Sequence, residues 1–182
     1  MSGPIYSMPS EKNNDATVRA ALTQHLKGIW RYGLSLSGRA DVADDLAQAT
    51  CVRALERVHQ VTSDRRLDAW FMTICRSIWL NELRSQTIRR AQSLDAEPGL
   101  ELIAQDLDTE TNYFATEVFT EVMALPEAQR EVVILVYVQG YTYRETAEIM
   151  EVPIGTVMSR LHAARGKLQA LDGKMGQVEA GQ

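Results

Sequence analysis

The stretch of sequence that decides the fold is LPEAQREVVILVYVQGYTYRETAEIMEVPIGTVMSRLHAARGKL, which covers Leu125–Leu168. Thr142 and Glu145 have the spacing of a capping box, in which the threonine caps a helix and the glutamate reaches back to the cap. They predict that a short helix begins there. Val152-Pro153 breaks that helix, because proline cannot continue it, and a new helix begins near Ile154. The stretch therefore predicts two helices joined by a tight turn.

The second of these helices has one apolar face and one small or polar face. Its apolar residues are spaced by four, three and four positions, which is typical of a helix side that packs in a core. They are Val157, Leu161, Ala164 and Leu168. The other face carries Thr156, Ser159, Arg160, Ala163 and Lys167.

This arrangement is typical of a helix-turn-helix, whose second helix enters a DNA major groove about 12 Å wide. Small residues at the start of the helix, such as Gly155 and Thr156, let the backbone approach the DNA. Arg160, Arg165 and Lys167 can neutralise phosphate charge. The alternative is an ordinary helical hairpin within a bundle.

Helical spacing also predicts three helices before this stretch, over residues 17–38, from Asp41 to about His59, and from about Leu67 to Arg90. Gly38 stops the first, and Asp41 caps the second. No stretch alternates convincingly like a strand. The fold class predicted is all-α, with a helical bundle and a helix-turn-helix domain.

The charge distribution separates these two parts. The chain of 182 residues has a net charge of −5, but Ala91–Glu127 contains nine acidic residues and no Lys or Arg. All 19 basic residues lie before or after this segment. The segment is therefore predicted to be an acidic linker between two parts that contain the basic residues. The predicted division is a disordered tail at 1–15, a helical domain at 16–91, the linker at 92–113, the helix-turn-helix domain at 114–172 and a tail at 173–182.

Composition and motifs exclude several classes of protein. The longest apolar run, Val132–Val138, is far shorter than the roughly 20 residues of a membrane span. The N-terminus lacks a basic segment followed by an apolar one, so we expect a cytoplasmic protein with no membrane insertion. Cys51 and Cys75 form no CxxC pair, and we expect two buried, reduced thiols. Neither a metal site nor a cofactor is predicted, and no group of residues indicates an enzyme.

The quoted stretch closely resembles region 4 of the bacterial extracytoplasmic-function sigma factors of the sigma-70 family, through the LPxxxR of Leu125–Arg130 and the GTVMSRL of Gly155–Leu161. DVADDLAQATCVRALERV, at Asp41–Val58, resembles region 2.2, and RLDAWFMTICRSIWLNELR, at Arg66–Arg84, resembles regions 2.3 and 2.4. The order and separation of these blocks match the family. The sequence of these blocks is most similar to the groups of this family that are common in alphaproteobacteria, including the general-stress-response type.

The resemblance implies an initiation subunit that binds core RNA polymerase at the clamp helices and flap of its large subunit. It also implies that the chain reads the −35 element of promoter DNA, opens the −10 element, and is held inactive by an anti-sigma factor. By position, the polymerase-binding residues are Asp45, Gln48 and Arg53. The residues that hold unpaired −10 bases are Arg76, Ser77, Asn81 and Arg84. The −35 residues are Thr156, Met158, Ser159, Arg160, His162 and Ala163, with Arg165 and Lys167 as phosphate contacts.

Several alternatives stay open from the sequence. Trp79 has the chemistry to receive an unstacked −10 base, but its place beside Ile78 and Leu83 favours packing in the core. Asp45 is either a polymerase contact or a helix-start acid on a solvated face, and the linker either threads the RNA exit path or is a solvated tether. Where the family has glutamate, phenylalanine and tryptophan, this chain has Ala49, Cys51 and Leu55.

Those three departures motivate a second hypothesis, a sigma-like decoy that binds an anti-sigma factor without directing transcription. A third is a free-standing helix-turn-helix repressor, which predicts tight, salt-sensitive binding to duplex DNA without polymerase. On the recognition helix, Met158 and Ala163 stand where some family members have arginine. Fewer arginines there predict a −35 element that is read more through DNA shape and backbone contacts.

Overall fold

The computed structural model describes residues 11–62, 66–92 and 120–179. Within these ranges it shows helices and no strand, which confirms the all-α prediction. The longer helices are α1 (Glu11–Ser37), α2 (Ala40–Glu56), α3 (Leu67–Gln92), α4 (Glu127–Val133), α5 (Tyr143–Met150) and α6 (Ile154–Glu179). The predicted acidic linker at 92–113 lies almost entirely outside the described residues, and the division into domains stays a prediction.

The ends of the first two helices follow the predicted signals only in part. Gly38 has φ 74° and its N–H donates to the Leu34 carbonyl at 2.8 Å, so it stops α1 as predicted. Asp41 does not cap α2, which begins one residue earlier at Ala40. Arg39 is the N-cap residue, so Asp41 lies inside the first turn, where its carboxylate accepts from the Arg39 guanidinium at 2.6 Å.

The helix-turn-helix follows its sequence signals closely. The Thr142 side chain accepts from the Glu145 N–H, and the Glu145 carboxylate accepts from the Thr142 N–H, so the predicted capping box is confirmed. Glu151, with φ 53°, forms the left-handed turn between α5 and α6. Val157, Leu161 and Ala164 are buried, as the spacing of the last helix predicts.

A π turn continues α4 over Ile134–Val138, where the Gln139 N–H donates to the Ile134 carbonyl at 2.9 Å. Gly140, with φ 77°, follows it. Such turns have one residue more than an α turn and change the direction in which later side chains leave the helix. Tyr137 and Val138 are consequently exposed at the end of an otherwise buried apolar run.

One hydrophobic core runs through both halves of the chain. The N-terminal half (α1–α3) contributes the fully buried Tyr32 and Phe71, and the C-terminal half (α4–α6) contributes Leu135 and Val157. All four belong to a single cluster of buried residues. The two predicted domains are therefore packed against each other, with α4 against α1 and α5 against α3. Within the described residues, no helix is long and apolar enough to cross a membrane.

Candidate polymerase and nucleic-acid interfaces

The predicted −10 residues of α3 lie together at one cleft. Residues spaced by about four positions share a helix face, and this spacing brings four of the five to the same side of α3. The cleft has a volume of about 210 Å³. Its α3 wall includes Arg76, Ser77, Asn81 and Arg84, and its opposite wall is formed by Ile149 and Glu151 at the turn of the helix-turn-helix.

Helix α4 binds one lining residue of this cleft, Arg76, through a buried carboxylate. Arg76 Nε donates to Glu131 Oε1 at 2.8 Å, and the Tyr32 hydroxyl donates to the same oxygen at 2.6 Å. The Glu131 residue is 4% exposed. A carboxylate so deeply buried is tolerated because a cation and a hydroxyl both bind it. Burial, and then the neighbouring Glu131 carboxylate, raise the pKa of Tyr32 well above its ordinary value.

Trp79, the fifth predicted −10 residue, is also engaged by α4. Its ring is buried at 8% exposure, as the core-packing alternative expects. Its indole N–H donates to the Glu127 carboxylate at 2.9 Å. Two donors on α3, from Arg76 and Trp79, are thus occupied by two carboxylates one turn apart on α4.

Arg130, between those two glutamates, fixes α4 to α1. Its guanidinium donates to the carbonyl oxygens of Ser35 and Leu36 at the end of α1, and to that of Met123. Burial lowers the pKa of Arg130, although the Glu127 carboxylate opposes this. Arginine binds three carbonyl groups here because its guanidinium presents several donors in a fixed plane.

The sequence reasoning missed these contact residues of α4. Arg130 was noted only as the end of the LPxxxR motif, and Glu131 was assigned no role. A signal was present, since Glu131 precedes Leu135 by four positions and so shares its buried helix face. What the sequence could not show is which distant side chains would bind it.

The predicted polymerase-binding residues lie on α2, away from this interface. Asp45 and Gln48 are exposed, and Val52, one turn further along the same face, is 57% exposed. The neighbouring Asp44 is different, since it accepts from the Trp30 indole at 2.8 Å. Arg53 is half-buried, with its Nε 4.0 Å from Glu56.

The two cysteines are free thiols, as predicted, but only one is fully buried. Burial raises the pKa of Cys75 to about 12, so it stays protonated and unreactive. Cys51 is half-buried rather than buried, because it lies on the side of α2 next to the exposed Val52.

The predicted −35 residues form the outer face of α6. Met158 is 50% exposed, and Thr156 and Arg160 are half-buried at the edges of the buried stripe. Ser159, His162, Ala163, Arg165 and Lys167 are exposed. The hydrogen bonds described for this face, from Ser159 to Thr156 and from Arg165 to two tyrosines, stay within the C-terminal half.

Comparisons with known proteins find similarity in both halves of the chain. Residues 21–89 match the family model described as Sigma-70 region 2, and residues 117–168 match Sigma-70, region 4. The chain is 36% identical over 141 residues to the ECF RNA polymerase sigma factor EcfG of Rhodopseudomonas palustris, with 77% of this chain and 76% of the relative covered. It is 27% identical over 164 residues to the ECF RNA polymerase sigma factor SigC of Mycobacterium tuberculosis, covering 90% and 88%.

A solved structure is similar over most of the chain. It is the sigma factor RpoE of Bartonella quintana in complex with the anti-sigma factor NepR. The TM-score is 0.76 and the sequence identity 27%, with 85% of this chain and 96% of that chain covered.

Proposed function

The chain belongs to the extracytoplasmic-function sigma factors, and from that premise we propose that it binds core RNA polymerase, recognises −35 and −10 promoter elements and promotes promoter melting. The observation that carries the proposal is the presence of both sigma regions, in family order, on one chain. It acts by binding in the cytoplasm, without a cofactor and without enzymatic chemistry of its own.

The structure supports a division of this work among three helices. The exposed side of α2 with Asp45, Gln48 and Val52 offers both polar and apolar contacts to a polymerase surface. The cleft on α3 offers donors and acceptors to unpaired bases. The open face of α6 offers small and basic side chains to the major groove, where phosphate contacts position a protein and base contacts specify the sequence.

Promoter melting needs binding energy at the α3 cleft. Taking a base out of the duplex costs a few kcal/mol, and a site must return that energy through hydrogen bonds and stacking. Stacking on an aromatic side chain is worth about 1–3 kcal/mol per base. Ser77, Asn81 and Arg84 can supply the hydrogen bonds, while Arg76 and Trp79 stay bound by α4 unless that helix moves.

In the arrangement described here, the −10 side is not free. The carboxylates of Glu127 and Glu131 hold Trp79 and Arg76, and so compete with DNA for the same donors. We therefore expect α4 to leave α3 when the chain binds polymerase and opens DNA. An anti-sigma factor is a partner suited to hold the chain closed, and the similarity to a sigma factor bound to its anti-sigma factor supports this.

The experiment that tests the function is in vitro transcription with purified chain, core RNA polymerase and a fragmented genomic library, followed by sequencing of the run-off starts. Discrete starts that share spaced −35 and −10 motifs are the expected result. No starts from an active core enzyme would contradict the proposal and favour the decoy hypothesis.

Binding to a clamp-helix fragment separates the two hypotheses further. A sigma factor binds the fragment, and Asp45→Ala weakens this binding while leaving the fold intact, because Asp45 is exposed. Glu148→Ala removes an exposed carboxylate from α5 and is the matched control. A decoy shows no binding to the fragment with any of these chains.

A further inference from the structure

The side chain of Arg165, on α6, is held by two tyrosines from outside its helix. Its Nε donates to the Tyr137 hydroxyl at 2.8 Å, and one terminal nitrogen also contacts that hydroxyl and lies 3.5 Å from the Tyr143 hydroxyl. The guanidinium carbon is 5.6 Å from the centre of the Tyr137 ring, within the range of a cation–π contact. An exposed arginine side chain otherwise samples many rotamers, so these contacts order a side chain that would be free.

Arg165 lies at one edge of the face predicted to enter the major groove. At 3.6 residues per turn, it shares the side of α6 that carries Met158 and His162. A helix in the major groove has base edges beneath its middle and a phosphate backbone along each side. Arg165, at the edge of this face, is therefore expected to meet a phosphate backbone.

Tyr137 comes from the π turn after α4, and Tyr143 is the first residue of α5. In a helix-turn-helix, the first helix crosses the DNA backbone while the second enters the groove. Both tyrosines thus belong to the part of the domain that passes the backbone on the side of Arg165. Tyr137, within this π turn, is 53% exposed at the end of a buried run.

The chemistry of the three groups suits a phosphate diester. The Tyr137 oxygen accepts from Arg165, and its own proton is left to donate. The guanidinium keeps further N–H groups for a second acceptor. Together they present donors and one positive charge, which is what a phosphate oxygen binds most strongly.

We propose that Tyr137, assisted by Tyr143, is a positioning residue that holds Arg165 against one phosphate bordering the −35 element. This rests on the proposed function, since it deepens the action of the same DNA-binding face. Tyr137 then contributes to affinity chiefly through Arg165 and reads no base.

The test uses holoenzyme, reconstituted from core polymerase and the full chain, and a promoter duplex taken from the run-off experiment. Binding is measured between 50 and 200 mM salt. Each phosphate contact contributes about 0.9 to the slope of log affinity against log salt concentration. A variant that lacks one contact should therefore lose about 3.5-fold less affinity than the wild type over this salt range. We expect Arg165→Ala to show that full change and Tyr137→Phe part of it.

The double variant decides whether Tyr137 acts through Arg165. Tyr137→Phe should have no further effect in the Arg165→Ala background, whereas two independent contacts would add. Arg31→Ala, which removes an exposed arginine from α1, controls for net charge and should leave the slope unchanged. A single neutral methylphosphonate at the contacted position should weaken the wild-type complex but not the Arg165→Ala complex.

An unchanged salt slope for Tyr137→Phe, or additive effects in the double variant, overturns the positioning role. If the Tyr137→Phe protein has a lower melting temperature but an unchanged salt slope, the positioning role is also overturned, because Tyr137 is then a purely structural residue. If the wild-type chain starts no transcription at all, the proposed function itself has failed. That outcome is distinct, because it is seen before any variant is compared.

Discussion

The face of α3 and the face of α6 are both predicted to bind DNA, but the chain treats them in opposite ways. On α3, Arg76 and Trp79 are bound by carboxylates of α4. On α6, Met158 is half exposed and its neighbours on the outer face are exposed too, so this face is open to solvent. A surface that reads DNA is rich in donors, and carboxylates satisfy donors as phosphates and bases do. The chain therefore binds part of the face predicted to open DNA strands with its own helix α4 and leaves the face predicted to read duplex DNA available.

The two faces also differ in what a mutation should do. A buried ion pair is costly to break, because the remaining partner is left as an uncompensated charge. Substitutions on an open surface change stability by about 0.5 kcal/mol or less. Variants of the α3–α4 contact should therefore alter how the halves pack, whereas variants of α6 should alter only what the chain binds.

The largest effect is expected from Glu131→Ala. It leaves the Arg76 guanidinium and the Tyr32 hydroxyl without their shared acceptor in the closed arrangement, which should cost about 3–5 kcal/mol. The halves are then expected to separate rather than stay packed. Small-angle scattering should show a larger radius of gyration, and urea unfolding should lose cooperativity between the halves.

Two further variants allow this result to be interpreted. Glu131→Gln keeps the volume of the side chain and removes the charge, so it distinguishes loss of the ion pair from a cavity. Glu148→Ala removes an exposed carboxylate from α5 and should change neither measurement. A radius of gyration equal to that of the wild type for both Glu131 variants would mean that this carboxylate does not hold the halves together.

The helix-turn-helix, with its open face on α6, was more predictable from the sequence than the contact between α3 and α4. The capping box at Thr142 and the buried spacing of α6 are local signals, and the structure confirms both. The predicted cap at Asp41 is wrong because α2 begins one residue earlier, with Arg39 as its N-cap residue. The partners of Glu131 could not be found at all, since Tyr32 and Arg76 lie 99 and 55 residues away in the chain.

A smaller effect, confined to the open face, is expected from Arg160→Ala. Loss of an arginine that contacts a base edge costs about 1–3 kcal/mol and relaxes specificity at one position. Competition binding of holoenzyme to the run-off promoter and to duplexes altered in the −35 element measures this. Lys167→Ala, expected to lose only a phosphate contact, should instead weaken all duplexes equally.

Because Arg160 lies outside the α3–α4 contact, Arg160→Ala should leave the radius of gyration and the binding of core polymerase unchanged. Loss of polymerase binding in this variant would show that the two faces are not separable, and the contrast between them would then be wrong.

The smallest effects are expected at Glu145, which makes contacts in both halves of the chain. Its carboxylate accepts from the Thr142 cap within the helix-turn-helix and pairs with Arg66 from the N-terminal half. Hydrogen bonds from Thr142, and then the Arg66 guanidinium, hold the pKa of Glu145 below its ordinary value of 4.5. The folded chain thus binds this proton less readily than the unfolded chain. The carboxylate stabilises the fold above about pH 4.5, and this contribution is lost as the pH falls through the folded pKa.

Two variants separate the local contact of Glu145 from its contact with the other half. Thr142→Ala removes the cap and should lower the unfolding free energy by about 1 kcal/mol at neutral pH. Arg66→Ala removes the partly exposed ion pairs of Arg66 with Glu145 and Asp68 and should cost at most about 1 kcal/mol, because solvent screens both. Thr23→Ala, an exposed threonine of α1, is the control. The effect of Arg66→Ala acts through carboxylates, so urea unfolding well below pH 4.5 should shrink it. Most of the Thr142→Ala effect should persist there, because Thr142 Oγ1 accepts from the Glu145 backbone N–H and that bond does not depend on the carboxylate.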